Sequence, residues 1–413
     1  MKDAREPVVL IVGAGPTGLA AALALAKLGV SVRLIDRNAG PSTRSKALGV
    51  QAGTLECLEA AIGPEIVREM LAAGRPAREA WIHLDAAAPI RIDLASIPSA
   101  YPFILILAQS ETERILETHL ARGSVRVERE TELVSFAEIG EKIVAKIRLP
   151  SGEIEEVRSS FLIGADGAHS AVRHGLDLPF EGAAYEGTFV LGDVTLGWPW
   201  PYDSIRTFVS EQGVIASFPM KGDRRYRLIL IPRGAPAASD DADIGLDEFR
   251  AITERLGAGK IRVESADWLT RFRVHHRMVR HFGKGRAFLA GDAAHIHSPA
   301  GGQGMNTGIQ DALNLAFKLS AVLSGDLPFS RLADYERERV PVARGVLHGT
   351  DFVFRMALLP ESRAVAWFRR VVLPKIIGSG FVQRRMAAAI SEVAIARREI
   401  RRYPRGVIRK LRS

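Results

Sequence analysis

Residues Val8 to Gly18 constrain the fold of this 413-residue chain more than any other stretch. Val8-Val9-Leu10-Ile11-Val12 is a short apolar run, rich in β-branched residues, of the kind that forms a central parallel strand covered on both faces. Gly13-Ala14-Gly15-Pro16-Thr17-Gly18 follows at once and has the form GxGxxG. In such a turn the first glycine permits the sharp reversal, the second lets the backbone approach a pyrophosphate, and the third lets helix and strand pack closely. Leu19 to Leu28 reads as an alanine-rich helix whose N-terminal N–H groups can receive that pyrophosphate. Gly29 ends it, and Ser31 to Ile35 forms a second strand leading to Asp36 and Arg37. Asp36 stands 23 residues after Gly13, where an acid can accept hydrogen bonds from an adenosine ribose. A nucleotide-binding βαβ unit is expected. The competing reading, a glycine turn made only for packing, does not explain the acid at that distance.

The same segment, uncharged from Val8 to Ala26 and preceded by Lys2 and Arg5, superficially resembles a signal peptide or a membrane span. Its glycines and Pro16 would break a spanning helix, so neither a targeting nor a transmembrane segment is expected. Hydrophobic residues at 47% and charged residues at 25% allow a sizeable core, and the length suits two intertwined domains plus a tail. Cys57, the sole cysteine, excludes an intramolecular disulfide or a cysteine-built metal site and suits a reducing cytoplasm. It lies in an amphipathic stretch, Ala52 to Leu58, and reads as a buried structural thiol. The net charge of +9 is not spread evenly: Glu361 to Ser413 holds 14 Lys and Arg against 3 acids, or +11, leaving −2 for the rest. No zinc-finger or RNP motif accompanies it, so nucleic acid is not an expected partner.

Two later segments repeat the logic of strand, small turn and acid. Phe161-Leu162-Ile163-Gly164-Ala165-Asp166-Gly167 leads into a helix start, and Ala287-Phe288-Leu289-Ala290-Gly291-Asp292 leads into a loop. Each alone reads as an ordinary turn. In this order after a βαβ start, they resemble the fingerprints of the class A flavoprotein monooxygenases, the family of para-hydroxybenzoate, phenol and aromatic-polyketide hydroxylases. The resemblance extends through Ser298-Pro299-Ala300-Gly301-Gly302-Gln303-Gly304-Met305-Asn306 and on to Leu319, and more weakly through Leu105 to Glu113 and Asp334 to Arg339.

The resemblance implies FAD as cofactor, NADPH or NADH as transient reductant, and O₂ as co-substrate, with oxygen delivered to a phenolic or polycyclic aromatic molecule through a flavin C4a-hydroperoxide. It implies an α/β fold, with a Rossmann-like FAD-binding domain (1–75, 101–180 and 270–345) interleaved with a substrate domain on an antiparallel sheet (76–100 and 181–269). A basic helical tail, 346–413, completes the chain, and no role is expected from the thioredoxin-like domain into which many phenol hydroxylases continue. Residue by residue, it assigns the ribitol chain to Asp292 beside Gly291, and both FAD and nicotinamide to Asp166 with Gly167. Arg44 and Gln109 match positions lining the flavin and its pyrophosphate, and Pro299 a proline next to the substrate. Gly302, Gly304, Met305 and Asn306 open a helix whose N-terminus, placed against the flavin pyrimidine edge, would stabilise the negative charge that develops on reduction.

Strand-like runs around Ile205 to Val209, Val214 to Pro219 and Tyr226 to Ile231 suit the substrate sheet, with Tyr226 and Ser217 as candidate hydroxyl contacts and cross-strand packing as the plainer role for both. No arginine clamp for a substrate carboxylate stands out, which favours a neutral substrate. His295-x-His297 and His275-His276 lack accompanying acids or cysteines, so no metal site is expected. Trp198-Pro199-Trp200-Pro201 differs in spacing from the tryptophan motif of flavin halogenases and reads as a loop cluster. Met386, Ile390, Val393 and Ile400 share helical spacing among arginines. They suit a helix packed on the FAD domain or in a homodimer, with attachment to anionic lipid at the inner membrane face as the sharper alternative. Rival activities are a flavin reductase or dehydrogenase acting on a prenyl lipid or quinone, epoxidation or Baeyer–Villiger insertion on the same machinery, and a non-catalytic FAD-binding protein.

Overall fold

Val9–Val12 lies between two parallel neighbours, Val32–Ile35 and Phe161–Gly164, and all four of its residues are buried, as its unbroken apolar character requires. It belongs to a six-stranded sheet in the computed structural model, which describes residues 8–42, 47–84, 88–185, 187–234, 243–257, 259–298, 301–357 and 367–402. The order is Gly283–Lys284, Ala287–Leu289, Phe161–Gly164, Val9–Val12, Val32–Ile35, Val127–Glu128, parallel throughout except for the first strand. Parallel neighbours share a carboxyl edge. Gly13, Ala165-Asp166 and Ala290-Gly291, drawn from distant parts of the chain, therefore meet there.

Helix Pro16–Lys27 starts at a proline, whose missing N–H costs nothing at that position, and ends before Gly29, which adopts φ +78°. Helix Gly304–Leu323 packs against it and is buried along most of its length. Helix Ala52–Ala61 carries Cys57 in the same core, where burial pushes the thiol pKa up and keeps it unreactive.

A second, seven-stranded sheet runs Arg262–Phe272, Phe189–Gly197, Arg225–Pro232, Gly213–Pro219, Ile205–Ser210, Glu79–Leu84, Ile90–Asp93. It is mixed, which corrects the expectation of a purely antiparallel sheet: Ile205–Ser210 pairs in parallel with Glu79–Leu84, a strand from an earlier, separate segment that no hairpin ties to it. Glu181–Ala184 is not in this sheet. It pairs with His275–Met278, which pairs in turn with His295–Ile296. The outer face of the large sheet packs on helix Leu246–Gly257 through Phe249 and Leu256, and its inner face turns towards the first sheet.

The tail forms two helices, Gly380–Ser391 and Val393–Arg402, broken at Glu392, which takes the left-handed φ of +55°. Val393–Arg402 packs on Ala52–Ala61. No helix among the described residues is long and apolar enough to cross a membrane.

Candidate functional site

The first turn is locked by backbone contacts. A Cβ on Gly13 would stand 2.3 Å from the carbonyl oxygen of Ala165, and one on Gly18 would stand 1.8 Å from that of Gly13. At Gly15, by contrast, a Cβ would meet nothing within 4 Å, so the turn is open on that side. No side chain caps helix Pro16–Lys27, and its first-turn N–H groups face the same opening. Asp36, 6% exposed, accepts from Ala14 N (2.7 Å) and Asn38 N (2.8 Å), so its carboxylate braces the turn as well as standing beside it, while Arg37 is exposed. Thr17 packs where Cβ atoms on Gly291 or Gly308 would be, 2.6 Å from each. It joins the turn to the second acidic motif and to helix Gly304–Leu323.

Asp166 spends one carboxylate oxygen on the backbone, accepting from Ala171 N (2.7 Å) and Val172 N (3.2 Å) at the start of helix Ala171–Gly175. Its Oδ1 is buried without a hydrogen-bond partner among the described residues, and burial raises its pKa above the ordinary aspartate value. Gly167, at φ +78°, lines the opening next to it. Arg173, on helix Ala171–Gly175, is buried beside this motif. Its guanidinium donates to Ala293 O (3.1 Å) and Ala168 O (2.8 Å), clamping the two acidic motifs together.

Gly291 (φ +61°) turns Asp292 outward, exposed in the wall of the opening. Behind it lies a buried charge network: Asp311 accepts from Gly291 N (3.2 Å) and Arg339 Nε (2.5 Å) and meets His295 Nε2 at 2.7 Å. Burial alone would raise the Asp311 pKa, but Arg339 and His295 outweigh it and hold the group below the ordinary value. His297 belongs to the wall instead. Its Nδ1 faces Ser298 O at 3.0 Å, so that nitrogen carries the proton, and the buried Nε2 is an acceptor without a partner among the described residues. Burial lowers its pKa to about 4. No group of three or more His, Cys, Asp or Glu among the described residues is placed to hold a metal.

Helix Gly304–Leu323 also lacks a side-chain cap, and Gly302 (φ +62°), Gly304 and Met305 line the opening at its start. Asn306 does not line it. Fully buried, its amide donates to Gly49 O and Gly302 O, both at 2.8 Å, and its oxygen accepts from Gln51 N (2.8 Å), so it shapes the loop from behind. Gln51 lines the opening and donates to Gly301 O (3.0 Å). Gln109 also lines it, with its amide donating to Glu113 (2.8 Å). Arg44 and Pro299 lie outside the described residues.

Gly15, Thr17, Gly167, Asp292, His297 and Gly304 border one cavity of about 1910 Å³, which continues across the inner face of the seven-stranded sheet. Alternation along the strands decides which side chains reach it. Ala216, Phe218, Arg227 and Ile229 do; Ser217 and Tyr226, one residue out of phase, point to the other face. Ser217 Oγ donates to Arg206 O (2.9 Å), and the Tyr226 ring meets Trp198 edge-on at 4.5 Å, so neither side chain lines the cavity. Trp198 and Trp200 pack in that same outer cluster. Arg227, unnoticed in the sequence, is a cation on the cavity face of its strand. It is 2% exposed, pairs with Asp193 through two bonds of 2.6 and 2.7 Å, and donates to Ala47 O (3.2 Å).

Residues 6–350 match the family model described as an FAD binding domain. The chain belongs to the FAD-dependent aromatic monooxygenases. It is 37% identical over 402 residues to the 6-methylpretetramide 4-monooxygenase of Streptomyces rimosus, covering 95% of this chain and 70% of that relative. It is 35% identical over 359 residues to the pentachlorophenol 4-monooxygenase of Sphingobium chlorophenolicum, covering 84% and 64%. Among solved structures, CabE, an aromatic hydroxylase from angucycline biosynthesis, superposes with a TM-score of 0.78 at 29% identity over 95% of this chain and 77% of that one. The residues of this monooxygenase fit its cofactor. Two uncapped helix N-termini, an open backbone at Gly15 and the outward carboxylate of Asp292 line one cavity, a donor and acceptor set suited to a dinucleotide.

Proposed function

We propose that this monooxygenase hydroxylates a neutral phenolic or polycyclic aromatic molecule, using NADPH or NADH and O₂. The observation that carries the reading is the continuity of one cavity from the glycine turns to the apolar face of the large sheet. Ligand pockets hold about 300–1,000 Å³, so about 1910 Å³ has room for a dinucleotide and a second sizeable molecule. Ile82, Val214, Ala216, Phe218, Ile229 and Ile231 surround the second part, an apolar lining that favours a neutral ring system, and Arg227 there is paired with Asp193. The two relatives above are named for 6-methylpretetramide and pentachlorophenol.

FAD, when bound, accepts hydride from the nicotinamide coenzyme and, once reduced, activates O₂. In our reading the chain binds its pyrophosphate at Gly15, Pro16 and Thr17, its adenosine ribose at Asp36 beside Arg37, and its ribitol at Asp292. The N-terminus of helix Gly304–Leu323, with Gly302, Gly304 and Met305, steadies negative charge at the ring's pyrimidine edge. Gln109 and Gly167 would contact the ring, while Asn306 and Asp166 hold the loops around them. The sheet's apolar face orients the substrate and excludes water. His297 Nε2, unprotonated, accepts a hydrogen bond from a ligand hydroxyl or N–H.

We divide the chain into an FAD domain of residues 1–75, 101–180 and 270–345, a substrate domain of 76–100 and 181–269, and a tail of 346–413. The tail acts at the enzyme itself rather than at a membrane, in a cytoplasmic monomer or homodimer. The test is to purify the yellow protein and follow NAD(P)H and O₂ consumption across a panel of phenols. Substrate-stimulated, coupled O₂ uptake with a product heavier by one oxygen supports the proposal. Reductant consumption that does not need O₂ replaces it with a reductase, and ring expansion or epoxide formation assigns the other oxygen-insertion chemistries.

A further inference from the structure

The tail's acids are distributed unlike its bases. Between residues 367 and 402 the only acids are Glu392 and Glu399, and both are buried, at 2% exposure each, whereas Arg384, Arg385, Arg397, Arg398 and Arg401 are exposed. The two glutamates are seven residues apart, two helical turns, on the face of the tail that meets the FAD-domain helices. Gln310 donates to Glu392 (2.6 Å), Asn314 donates to Glu399, and Arg339 approaches Glu399 at 3.6 Å. Gly53 leaves room for the Glu392 backbone, since a Cβ there would come within 2.6 Å of it. On the other side, Gln383 donates to Arg91 O (2.8 Å) at the edge of the seven-stranded sheet, and Gln303 of the glycine loop donates to Ala389 O (3.3 Å). The tail thus bridges both parts of the molecule.

What it carries across that bridge is apolar. Leu373 and Ile377 pack with Leu84, Ile90, Val209 and Val214 of the sheet's inner face. Met386 and Ile390 pack with Ile92, Leu94 and Ile205. Leu373, Ile377, Met386 and Ile390 also line the cavity. Given the hydroxylase reading above, on which this rests, we infer that the tail is a wall of the substrate site and that its aliphatic face packs on the rings of a polycyclic substrate. Leu373, Ile377, Met386 and Ile390 are specificity-determining residues that select fused-ring over single-ring substrates. Each ring of a fused system laid against these aliphatic side chains removes further apolar surface from water. Glu392 and Glu399 are positioning residues that hold the wall in register with helix Gly304–Leu323.

The test uses FAD-loaded enzyme and two probes, 1,8-dihydroxyanthraquinone and resorcinol, each titrated while the bound-flavin absorbance is followed. Binding is thereby read separately from turnover. Ile377→Trp and Met386→Trp are expected to raise the Kd of the anthraquinone at least about tenfold more than that of resorcinol, the scale on which a filled apolar pocket discriminates. Met386→Ala, which removes contacts without adding bulk, is expected to weaken the anthraquinone about fivefold, again selectively. FAD per chain, measured on each variant, reports an intact fold. Parallel shifts for both probes, no shift for either, or a wild-type enzyme that does not bind the anthraquinone would overturn the inference. Selective loss of binding in an enzyme that never oxygenates the tricycle would leave the wall in place and remove the hydroxylase reading instead.

Discussion

Arg339→Met tests how far the buried charges behind the cofactor turn control the site in front of it. Arg339 and Asp311 have 0% side-chain exposure, and Arg339 also donates to Thr307 O (3.2 Å) and neighbours Glu399. Methionine fills much of the same volume but leaves Asp311 with His295 alone and removes a cation from Glu399. Stripping one partner from a buried ion pair costs about 3–5 kcal/mol, and a cation shared by two buried acids puts this case near about 5 kcal/mol. For a unit of a few hundred residues that lowers Tm by roughly 10 °C or more. Because Asp311 also accepts from Gly291 N, the substitution loosens the turn that presents Asp292, and FAD content falls with stability. The assay is thermal unfolding followed both by circular dichroism and by the fluorescence of released FAD. The double variant Asp311→Asn/Arg339→Met removes both charges and should be more stable than Arg339→Met alone. If the single variant lost less than about 1 kcal/mol, or the double variant were no better than the single, the account of a stranded buried carboxylate would fail.

Gly18→Ala places a Cβ 1.8 Å from the Gly13 carbonyl oxygen; the expected result is colourless protein with less than about a tenth of the wild-type FAD per chain, measured by absorbance. Glu392 is buried and its pKa is pushed up to about 8, so the folded chain keeps a proton that an unfolded glutamate releases. The stability this supplies is full below about pH 4.5 and is lost as pH rises to about 8. Glu392→Gln should flatten that slope and raise Tm at pH 8 by at least a degree or two, measured by pH-resolved melting. His297, neutral above about pH 5 because burial lowers its pKa to about 4, should contribute no inflection to kcat/KM between pH 5.5 and 9. An inflection near 6.5 that disappears in His297→Gln would show a solvated ring instead.

Local chemistry made the cofactor half of this molecule readable from its sequence. A strand, a GxGxxG turn, a helix and an acid at a set distance are contiguous, and so are the two Asp/Gly motifs; each obeys backbone rules that hold whatever surrounds it. Their meeting at one edge then follows from parallel pairing. What tertiary structure alone decided is which side of an element each residue occupies. Tyr226 and Arg227 are neighbours in the sequence and lie on opposite faces of a sheet, because the side-chain period of a strand is two and only packing against helix Leu246–Gly257 sets the phase. Asn306, read as a ligand contact, faces inward to three backbone groups. The tail's arginines dominated its charge, but its attachment depends on two glutamates whose partners, Gln310, Asn314 and Arg339, come from remote helices. Motifs specify short-range geometry through sterics. Burial, phase and charge pairing belong to the whole fold, because they arise between segments that no local pattern connects.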